Sequence, residues 1–464
     1  MSAKTAVKPA RAGYTCAECG WNAPKWVGRC GECQAWGTLV EAGGPEATGP
    51  RTAVSRPGTA AQAIADVDAH AAAYRPTGVG EFDRVLGGGI VPGAVVLLAG
   101  EPGVGKSTLL LDVAARAAEG GGKVLYVTGE ESAAQVRLRA ERIGALRPTL
   151  LLAAETDLGR VLGHVEAQQP DLLVVDSVQT IASAQVDGSA GGVSQVREVA
   201  AALISVAKRT ALPVVLVGHV TKDGAIAGPR VLEHLVDVVC QFEGDKHAQL
   251  RLVRAVKNRF GSVDEVGCFS LDEAGIHGLP DPSGLFLSGG RDPVAGSCVT
   301  VTLDGRRPMP IEVQALLAKT SAPQPRRATH GLDSSRVAMA LAVLSARLGL
   351  DASGHDTYVS TVGGSRAQEP AVDLAVALAV VSSKQDAPLY DGLVAIGEIG
   401  LAGELRPVVG TGRRLAEARR LGFTRAIIPS RSDLLGGPPA GMSLVEAPDL
   451  RSAVEAALTA RADD

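Results

Sequence analysis

One segment restricts the fold of this chain more than any other. Residues 100–107 read GEPGVGKS and match the pattern G-x-x-x-x-G-K-[ST] in full. An apolar stretch, GAVVLLAG, leads into this segment, and the helical pattern STLLLDVAARAAE follows it. Glycines let backbone N–H groups turn inward around phosphate oxygens, and the start of the helix adds its partial positive charge. The segment therefore predicts a P-loop in an α/β fold.

Each polar group of the predicted loop has a distinct role toward ATP and Mg²⁺. Lys106 should reach the β- and γ-phosphates, and the Ser107 hydroxyl should coordinate magnesium. A carboxylate at the end of an apolar strand should complete the metal site, and Asp176 ends the strand LLVVD. The predicted cofactor-binding residues are Gly100, Glu101, Pro102, Gly103, Val104, Gly105, Lys106, Ser107, Thr108 and Asp176.

Two further strand ends supply candidates for the hydrolysis step. Glu130 and Glu131 follow the strand KVLYVTG, and we expect Glu130 to orient the attacking water while its neighbour is merely exposed. His219 ends the strand LPVVLVGH. It is either an ordinary structural histidine or a sensor of the γ-phosphate, and its place at this strand end favours the sensor.

Strands and helices alternate from about residue 75 onward. The strands are almost continuously apolar, which is typical of a parallel sheet covered by helices on both faces. A chain of 464 residues is also too long for a single core, so two to four domains are expected. We predict a four-cysteine module, a Gly/Pro-rich flexible linker, an α/β motor and a separate α+β domain at 1–40, 41–65, 66–285 and 286–464.

The composition is that of a globular protein with no membrane segment. Hydrophobic residues make up 46% of the chain, and no apolar run approaches the roughly 18 residues that a membrane helix needs. The opening MSAKTAVKPARAG lacks the apolar region of a secretory signal, so we expect a cytoplasmic chain. The net charge of −4 does not indicate nucleic-acid binding in bulk, although residues 1–40 are locally basic.

Four of the seven cysteines form two Cys-x-x-Cys pairs separated by ten residues: Cys16, Cys19, Cys30 and Cys33. Four thiolates at this spacing suit a tetrahedral Zn²⁺ site in a compact pair of knuckles, and a redox-active pair is the less favoured alternative. The same module contains the three tryptophans of the chain: Trp21, Trp26 and Trp36. They form either the small core that zinc organises, which we favour, or a surface on which bases stack.

Several motifs together resemble the RadA family of bacterial DNA-repair proteins, also called Sms. The motifs are GEPGVGKST, LLVVDSVQT, VLVGHVTKDG and the pentapeptide KNRFG, which consists of Lys257, Asn258, Arg259, Phe260 and Gly261. The resemblance implies a RecA-like motor that forms a hexameric ring on single-stranded or branched DNA and acts with a recombinase partner. In such rings a basic group from the neighbouring subunit completes the ATP site, and Lys257 and Arg259 match that element. Without the resemblance, KNRFG is only a basic strand end before a turn.

Two Gly-rich segments, 184–194 and 222–230, follow strands that end near the predicted nucleotide. Their positions resemble the two DNA-binding loops of RecA, with Lys222 and Arg230 as candidate phosphate contacts. Ordinary flexible loops are the alternative. Neither segment contains an aromatic residue on which bases could stack, so contacts there should be made mainly to the DNA backbone.

The last part of the chain is similar to the proteolytic domain of Lon, through VGGSRAQEPAVDLAVALAVVSS and GEIGLAGELRPVVGTGRRLAEARRLG. Lon uses a serine–lysine pair, in which a desolvated lysine activates the hydroxyl. The chain has Ala371 at the position of the serine, and Gly412, Arg413 and Arg414 around that of the lysine. Because arginine stays protonated, we expect an inactive domain that serves ring assembly and DNA contact. Four arginines on one helical segment are either a basic face or merely solvated: Arg413, Arg414, Arg419 and Arg420.

These features predict a DNA-dependent ATPase and ring helicase that processes recombination intermediates by branch migration. An ATP-driven regulatory switch similar to KaiC is the main alternative, and turnover that ignores DNA would favour it. An ATP-dependent peptidase is a third candidate, which Ala371 nearly excludes.

Overall fold

The computed structural model describes residues 13–42, 63–66, 73–219, 230–244, 249–287, 294–434 and 437–458. The chain forms two compact units, Met1–Asp68 and Ala69–Asp464. Most of the predicted linker at 41–65 lies outside the described residues. No helix within the described ranges is both long and apolar enough to cross a bilayer.

The first unit is built around a three-stranded antiparallel sheet of order β2-β1-β3. Its strands are β1 (Gly13–Cys16), β2 (Asn22–Ala23) and β3 (Leu39–Ala42). The core is very small, and Tyr14 and Trp21 pack against its four buried members: Cys16, Ala23, Cys30 and Leu39. So few buried side chains stabilise a fold only weakly, which agrees with a unit organised by a metal.

Within the described residues, the second unit begins with an α/β region of six α-helices and six parallel strands. Its elements are α1 (Gly80–Leu86), β4 (Val95–Gly100), α2 (Lys106–Glu119), β5 (Val124–Thr128), α3 (Ala133–Arg142), β6 (Leu150–Ala154), α4 (Leu158–Gln168), β7 (Leu172–Asp176), α5 (Val193–Thr210), β8 (Val214–His219), α6 (Arg230–Glu233) and β9 (Val238–Gly244). Within the described residues, the parallel strands lie in the order β9-β4-β8-β7-β5-β6.

Alternate residues of the central strand β4 enter two different cores. Val96 and Leu98 pack with helices α1 and α2 in one core, whereas Val95 and Leu97 pack with α4 and α5 in the other. The prediction of a parallel sheet covered on both faces is confirmed.

Three antiparallel strands extend this sheet beyond β9, and a short helix follows them in the chain. They are β10 (Leu250–Asn258), β11 (Val266–Asp272), β12 (Gly275–Gly278) and α7 (Ser283–Phe286). The extension completes a sheet of nine described strands in which β10 joins β9 and β12 forms the edge.

An α+β region follows, as predicted. Its elements are β13 (Ser297–Asp304), β14 (Arg307–Lys319), β15 (Arg327–His330), α8 (Ser334–Leu348), β16 (His355–Thr361), α9 (Asp373–Gln385), β17 (Leu393–Ala395), β18 (Glu398–Ile399), β19 (Leu405–Arg406), α10 (Thr411–Arg420), β20 (Arg425–Pro429), β21 (Ser443–Ala447) and α11 (Leu450–Leu458). Seven of the described strands form a mixed sheet of order β15-β16-β14-β13-β17-β20-β21. Helix α9 is buried over most of its circumference and packs on β13 and β14. It is the central helix of this region's core.

A buried ion pair ties this α+β region to the α/β region. Arg307, at the start of β14, donates to the Glu81 carboxylate of α1 and to three backbone carbonyls: Val266, Leu279 and Pro280. A second pair joins Arg254 of β10 to Asp304 of β13. Both pairs hold the β13–β14 hairpin against the extended edge of the nine-stranded sheet.

Candidate functional site

The loop between β4 and α2 is a tight backbone turn of the kind that encloses phosphate. Gly103 and Gly105 have positive φ angles of 79° and 112°, which side chains with a Cβ resist. A Cβ on Gly100 would lie 2.5 Å from the Phe242 carbonyl oxygen of β9. Helix α2 begins at Lys106, so its free N–H groups face the turn. Ser107 and Thr108 occupy its first turn, as the motif requires.

Lys106 is folded back onto the loop. Its Nζ donates to the carbonyl oxygens of Gly100 and Glu101, at 2.9 and 2.8 Å, and only 3% of the residue is exposed. Burial lowers the pKa of Lys106 to about 8, against the opposing effect of Asp176 and Glu130. The ammonium group of Lys106 is therefore buried against the loop backbone. The phosphates of a bound nucleotide would replace its two carbonyl partners and stabilise its positive charge.

Asp176 ends β7 beside this lysine, and its two carboxylate oxygens differ. Oδ2 accepts a hydrogen bond of 2.7 Å from the Tyr126 hydroxyl on the neighbouring strand β5. Oδ1 is buried and has no hydrogen-bond partner among the described residues. A buried carboxylate oxygen without a donor is costly unless a cation or its water faces it, so Asp176 fits a Mg²⁺ site. Tyr126 was not identified from the sequence, where it is one more apolar residue of a buried strand.

The two glutamates after β5 point in different directions. Glu130 Oε1 lies 2.8 Å from His219 Nε2 and accepts a 2.5 Å hydrogen bond from the Ser177 hydroxyl. Glu131 instead accepts from the Arg139 guanidinium on α3. The hydrogen bond from His219 lowers the pKa of Glu130 to about 2, so this carboxylate stays ionised at neutral pH.

Three strand ends thus bring Glu130, Asp176 and His219 together, with one ligand atom of each within 4.8 Å of the others. His219 is the last residue of β8, and its backbone carbonyl accepts a 3.4 Å hydrogen bond from Gln179. The segment that follows it, 220–229, lies outside the described residues and includes Lys222. Arg230 begins α6, but its side chain also lies outside them.

The first Gly-rich segment is held by a buried side chain. Gln195 of α5 accepts from the Ser183 backbone N–H at 2.8 Å, and its amide donates to three carbonyls of the loop: Ser183, Val186 and Gly188. Helix α5 begins at Val193, so the loop is shorter than the predicted 184–194. Local sequence does not indicate this support, because glutamine in a helix is usually solvated.

The KNRFG residues have separate structural roles. The Lys257 ammonium donates to the carbonyl oxygens of Glu233 and Val236, at 2.7 and 2.8 Å. Asn258 accepts hydrogen bonds from the N–H groups of Phe260 and Gly261, which shapes the turn after β10.

Arg259 is the exposed cation of this turn. Its guanidinium is 57% exposed, and its one described ion pair is with Asp237, at 3.4 Å. Asp237 also accepts from Lys208 at 2.7 Å and from the Val95 backbone N–H at 3.0 Å. Val95 starts β4, whereas the phosphate loop follows Gly100 at its other end. Arg259 and the subunit's own phosphate loop therefore lie at opposite ends of a strand about 16 Å long.

The four predicted zinc ligands converge in the first unit. The Sγ atoms of Cys16 and Cys33 are 3.7 Å apart, those of Cys19 and Cys30 are 3.6 Å apart, and all four lie within 4.8 Å of one another. A tetrahedral Zn²⁺ with bonds of about 2.3 Å requires sulfurs about 3.8 Å apart, so the cluster fits zinc. The Thr38 hydroxyl, 3.2 Å from Cys16 Sγ, lowers the pKa of this thiol to about 6 and favours the thiolate that zinc binds.

The tryptophans of this module do not all form a core. Trp21 packs against the buried cysteines, and its ring covers Gly31 closely. Trp26 and Trp36 are 59% and 74% exposed. The favoured interpretation of the tryptophans as a zinc-organised core therefore holds only for Trp21.

Ala371 and Arg414, which lie at or beside the positions of the Lon serine–lysine pair, are buried in the α+β region. Ala371 is fully buried in a small core with Leu415 and Ala418 of α10. Arg414 is only 2% exposed and donates to both Glu369 oxygens and to the Val301 carbonyl. Arg414 is therefore not part of a basic face on α10.

Curated proteins similar to this chain along nearly all of its length are DNA repair proteins. The RadA protein of Mycolicibacterium smegmatis is 53% identical over 453 residues, which cover 96% of both chains. The relative from Mycobacterium tuberculosis is 54% identical over 449 residues, covering 96% of this chain and 93% of its own. The relative from Bacillus subtilis is 42% identical over 449 residues, covering 96% and 98%. The chain belongs to the RadA family.

Three family models match separate parts of this RadA chain. A rubredoxin metal binding domain matches residues 14–41, an AAA domain matches 80–225, and the subunit ChlI of Mg-chelatase matches 337–432. These matches agree with a zinc ribbon, a P-loop ATPase and a Lon-like region in that order. A KaiC-like protein from Pyrococcus horikoshii aligns with 45% of this chain and 100% of its own, at 22% identity and a TM-score of 0.38, a likeness too weak to bear on function.

Proposed function

We propose that this RadA-family ATPase is a DNA-dependent ring helicase that drives branch migration at recombination intermediates, together with a recombinase partner. The position of Arg259 carries the proposal. An exposed cation at the far end of β4 from its own phosphate loop cannot reach its own nucleotide, but it can reach that of a neighbouring subunit. A site completed in this way requires assembly, and a closed ring satisfies every such site.

Hydrolysis would divide among the residues at the strand ends. Lys106 and the N–H groups of the loop hold the phosphates, and Ser107 and Asp176 hold Mg²⁺, which neutralises developing charge on the phosphate oxygens when bound. Glu130 orients the attacking water. Arg259 of the neighbouring subunit, together with Lys257 of the same KNRFG segment, stabilises the transition-state charge.

His219 would couple this site to DNA. It contacts Glu130 and lies just before 222–230, a segment predicted to bind DNA. A γ-phosphate that displaces His219 from Glu130 would shift the end of β8, from which the chain continues toward that segment. The loop held by Gln195 would supply the second DNA contact, and both would act mainly on phosphates.

The C-terminal region would not hydrolyse peptides. Ala371 has no nucleophile, and Arg414 is fixed in a buried ion pair with Glu369 and cannot act as a base. Its ion pairs with the α/β region, through Arg307 and Arg254, favour a structural role in the assembly.

The test is the rate of ATP hydrolysis with and without single-stranded DNA across a salt series. Wild type should be stimulated by DNA, and the stimulation should decline steeply with salt. Arg259→Ala should lose the stimulated rate by about 10³-fold, as loss of an arginine finger does. Lys208→Ala is the matched control, because it removes the other side-chain cation of Asp237 and should retain activity.

Arg259→Ala is preferred to Lys257→Ala because the Lys257 ammonium also donates to the backbone carbonyls of Glu233 and Val236, so its removal would disturb the local fold. Turnover that is indifferent to DNA in all variants would refute the helicase and favour a regulatory switch. Equal loss in Arg259→Ala and Lys208→Ala would show that only the environment of Asp237 matters.

A further inference from the structure

Two large aromatic side chains lie on the surface of the first unit, where the fold makes no use of them. Trp26 and Trp36 are more than half exposed and belong to none of the described hydrophobic cores, although the core of this unit is very small. Burial of either ring would stabilise such a unit considerably. Exposed aromatic groups that lie together mark an interaction site.

The two indole rings converge on Gly28. A Cβ placed on Gly28 would lie 3.8 Å from the Trp36 ring and 3.9 Å from that of Trp26. The Gly28 carbonyl accepts a 2.9 Å hydrogen bond from the Gly37 N–H, and Arg29 pairs with Trp36 in a short antiparallel bridge. The backbone at Gly28 and Trp36 is therefore held in place, and Gly28 has no side chain to place between the two rings.

The charges around the pair suit a polyanion. The Arg29 guanidinium lies over the Trp36 ring, 5.6 Å from its centre, and Lys25 directly precedes Trp26. These are the basic residues of the range 13–42. The three acidic residues of this range lie elsewhere in the module, Glu18 and Glu32 in the two Cys-x-x-Cys turns and Glu41 in β3. Cations therefore flank the aromatic pair, in the combination that single-stranded nucleic acid favours.

We propose that Trp26 and Trp36 form a platform on which unpaired bases of single-stranded DNA stack, with Lys25 and Arg29 facing the phosphates. The inference rests on the proposed function and deepens it. The Gly-rich loops of the motor contain no aromatic residue, so they can hold the DNA backbone but cannot stack on bases. The first unit supplies that missing contact, with little sequence preference because every base has a stacking face.

The test uses the full-length chain and an oligothymidylate, with affinity and intrinsic tryptophan fluorescence as readouts. Trp26→Ala and Trp36→Ala should each weaken binding about tenfold, and phenylalanine at either position should largely restore it. The salt dependence separates the contacts. The alanine variants should keep the wild-type slope of log affinity against log salt, whereas Arg29→Ala should reduce it by about 0.7.

Trp21→Phe provides the matched fluorescence control. DNA should still quench this variant, whose remaining tryptophans form the platform, and should not quench a Trp26→Ala/Trp36→Ala variant that retains Trp21. Zinc content equal to that of wild type shows that the variants keep the module folded. Alanine variants with full zinc content and wild-type affinity would overturn the platform alone. Wild-type protein that neither binds the oligonucleotide nor responds to it in ATP hydrolysis would overturn the proposed function as well.

Discussion

At the scale of single residues, the strand ends of the α/β region assign different surroundings to side chains that look equivalent in the sequence. Glu130 and Glu131 are neighbours, yet one contacts His219 and Ser177 and the other contacts Arg139. Both residues lie in the bend after β5, where the turning backbone directs Glu130 toward the ends of β7 and β8 and Glu131 toward α3.

Glu130→Gln should therefore reduce the rate of ATP hydrolysis by about 10²–10⁴-fold while ATP binding persists, since a neutral amide cannot accept the proton of the attacking water. Glu131→Gln is the control: it removes only the pair with Arg139 and should hydrolyse ATP at close to the wild-type rate. Steady-state turnover and nucleotide affinity measured together distinguish the two, and equal losses would contradict the assignment of Glu130.

Lys106 gives a pH dependence with a definite sign. Its pKa of about 8 in the free protein means that the ammonium form is lost above that pH, and phosphates bind the ammonium form. Affinity for ADP should fall by about tenfold per pH unit above 8 and be flat below it. Calorimetric titration of ADP between pH 6.5 and 9.5 measures this affinity on both sides of the Lys106 pKa of about 8. Lys106→Arg should bind ADP more weakly, but its affinity should not decline above pH 8. A decline in both proteins would show that a group other than Lys106 causes it.

The phosphate loop and the carboxylate of the strand LLVVD were predictable because both sit in fixed local patterns. Tyr126, which donates to Asp176 from the neighbouring strand, and Gln195, which supports a loop from a helix, were not. Contacts of this kind depend on strand order and helix placement, and neither is encoded in local spacing.

At the scale of elements, the strand and helix pattern of the α/β region was predictable because buried parallel strands are continuously apolar. The buried ion pair that joins the α/β region to the α+β region of the second unit was not predictable. Arg307 follows a short turn in a hairpin, and nothing near it in the sequence indicates that Glu81, more than two hundred positions earlier, is its partner.

This buried pair makes a stability prediction. Arg307→Ala leaves the Glu81 carboxylate buried without its main cation, so the free energy of unfolding should fall by about 3–5 kcal/mol. Arg84→Ala removes a second cation from the same glutamate at a half-exposed position and should cost less than about 1 kcal/mol. Chemical denaturation of both variants measures the difference, and similar losses would show that the buried pair contributes no more than an exposed one.

At the scale of the whole molecule, the account depends on assembly. The two compact units have different means of stabilisation: the first has a core of a few side chains around four thiols, and the second has extensive apolar cores on both faces of its sheets. The motifs of the chain predicted the four-cysteine module, the α/β fold and the α+β fold. They could not by themselves show that Arg259 lies at the far end of β4 from the phosphate loop, because that depends on how β9 and β10 pair.

The most direct test of a shared ATP site is a mixing experiment with two inactive variants. Glu130→Gln cannot hydrolyse its own nucleotide but keeps Arg259, and Arg259→Ala keeps Glu130 but cannot complete a neighbour's site. Each alone should be almost inactive with single-stranded DNA present. Random co-assembly of equal amounts should restore about a quarter of the wild-type rate, because about a quarter of the subunit contacts then pair an intact Glu130 with an intact Arg259. A co-assembled mixture that remains as inactive as its components would contradict a site completed by the neighbouring subunit.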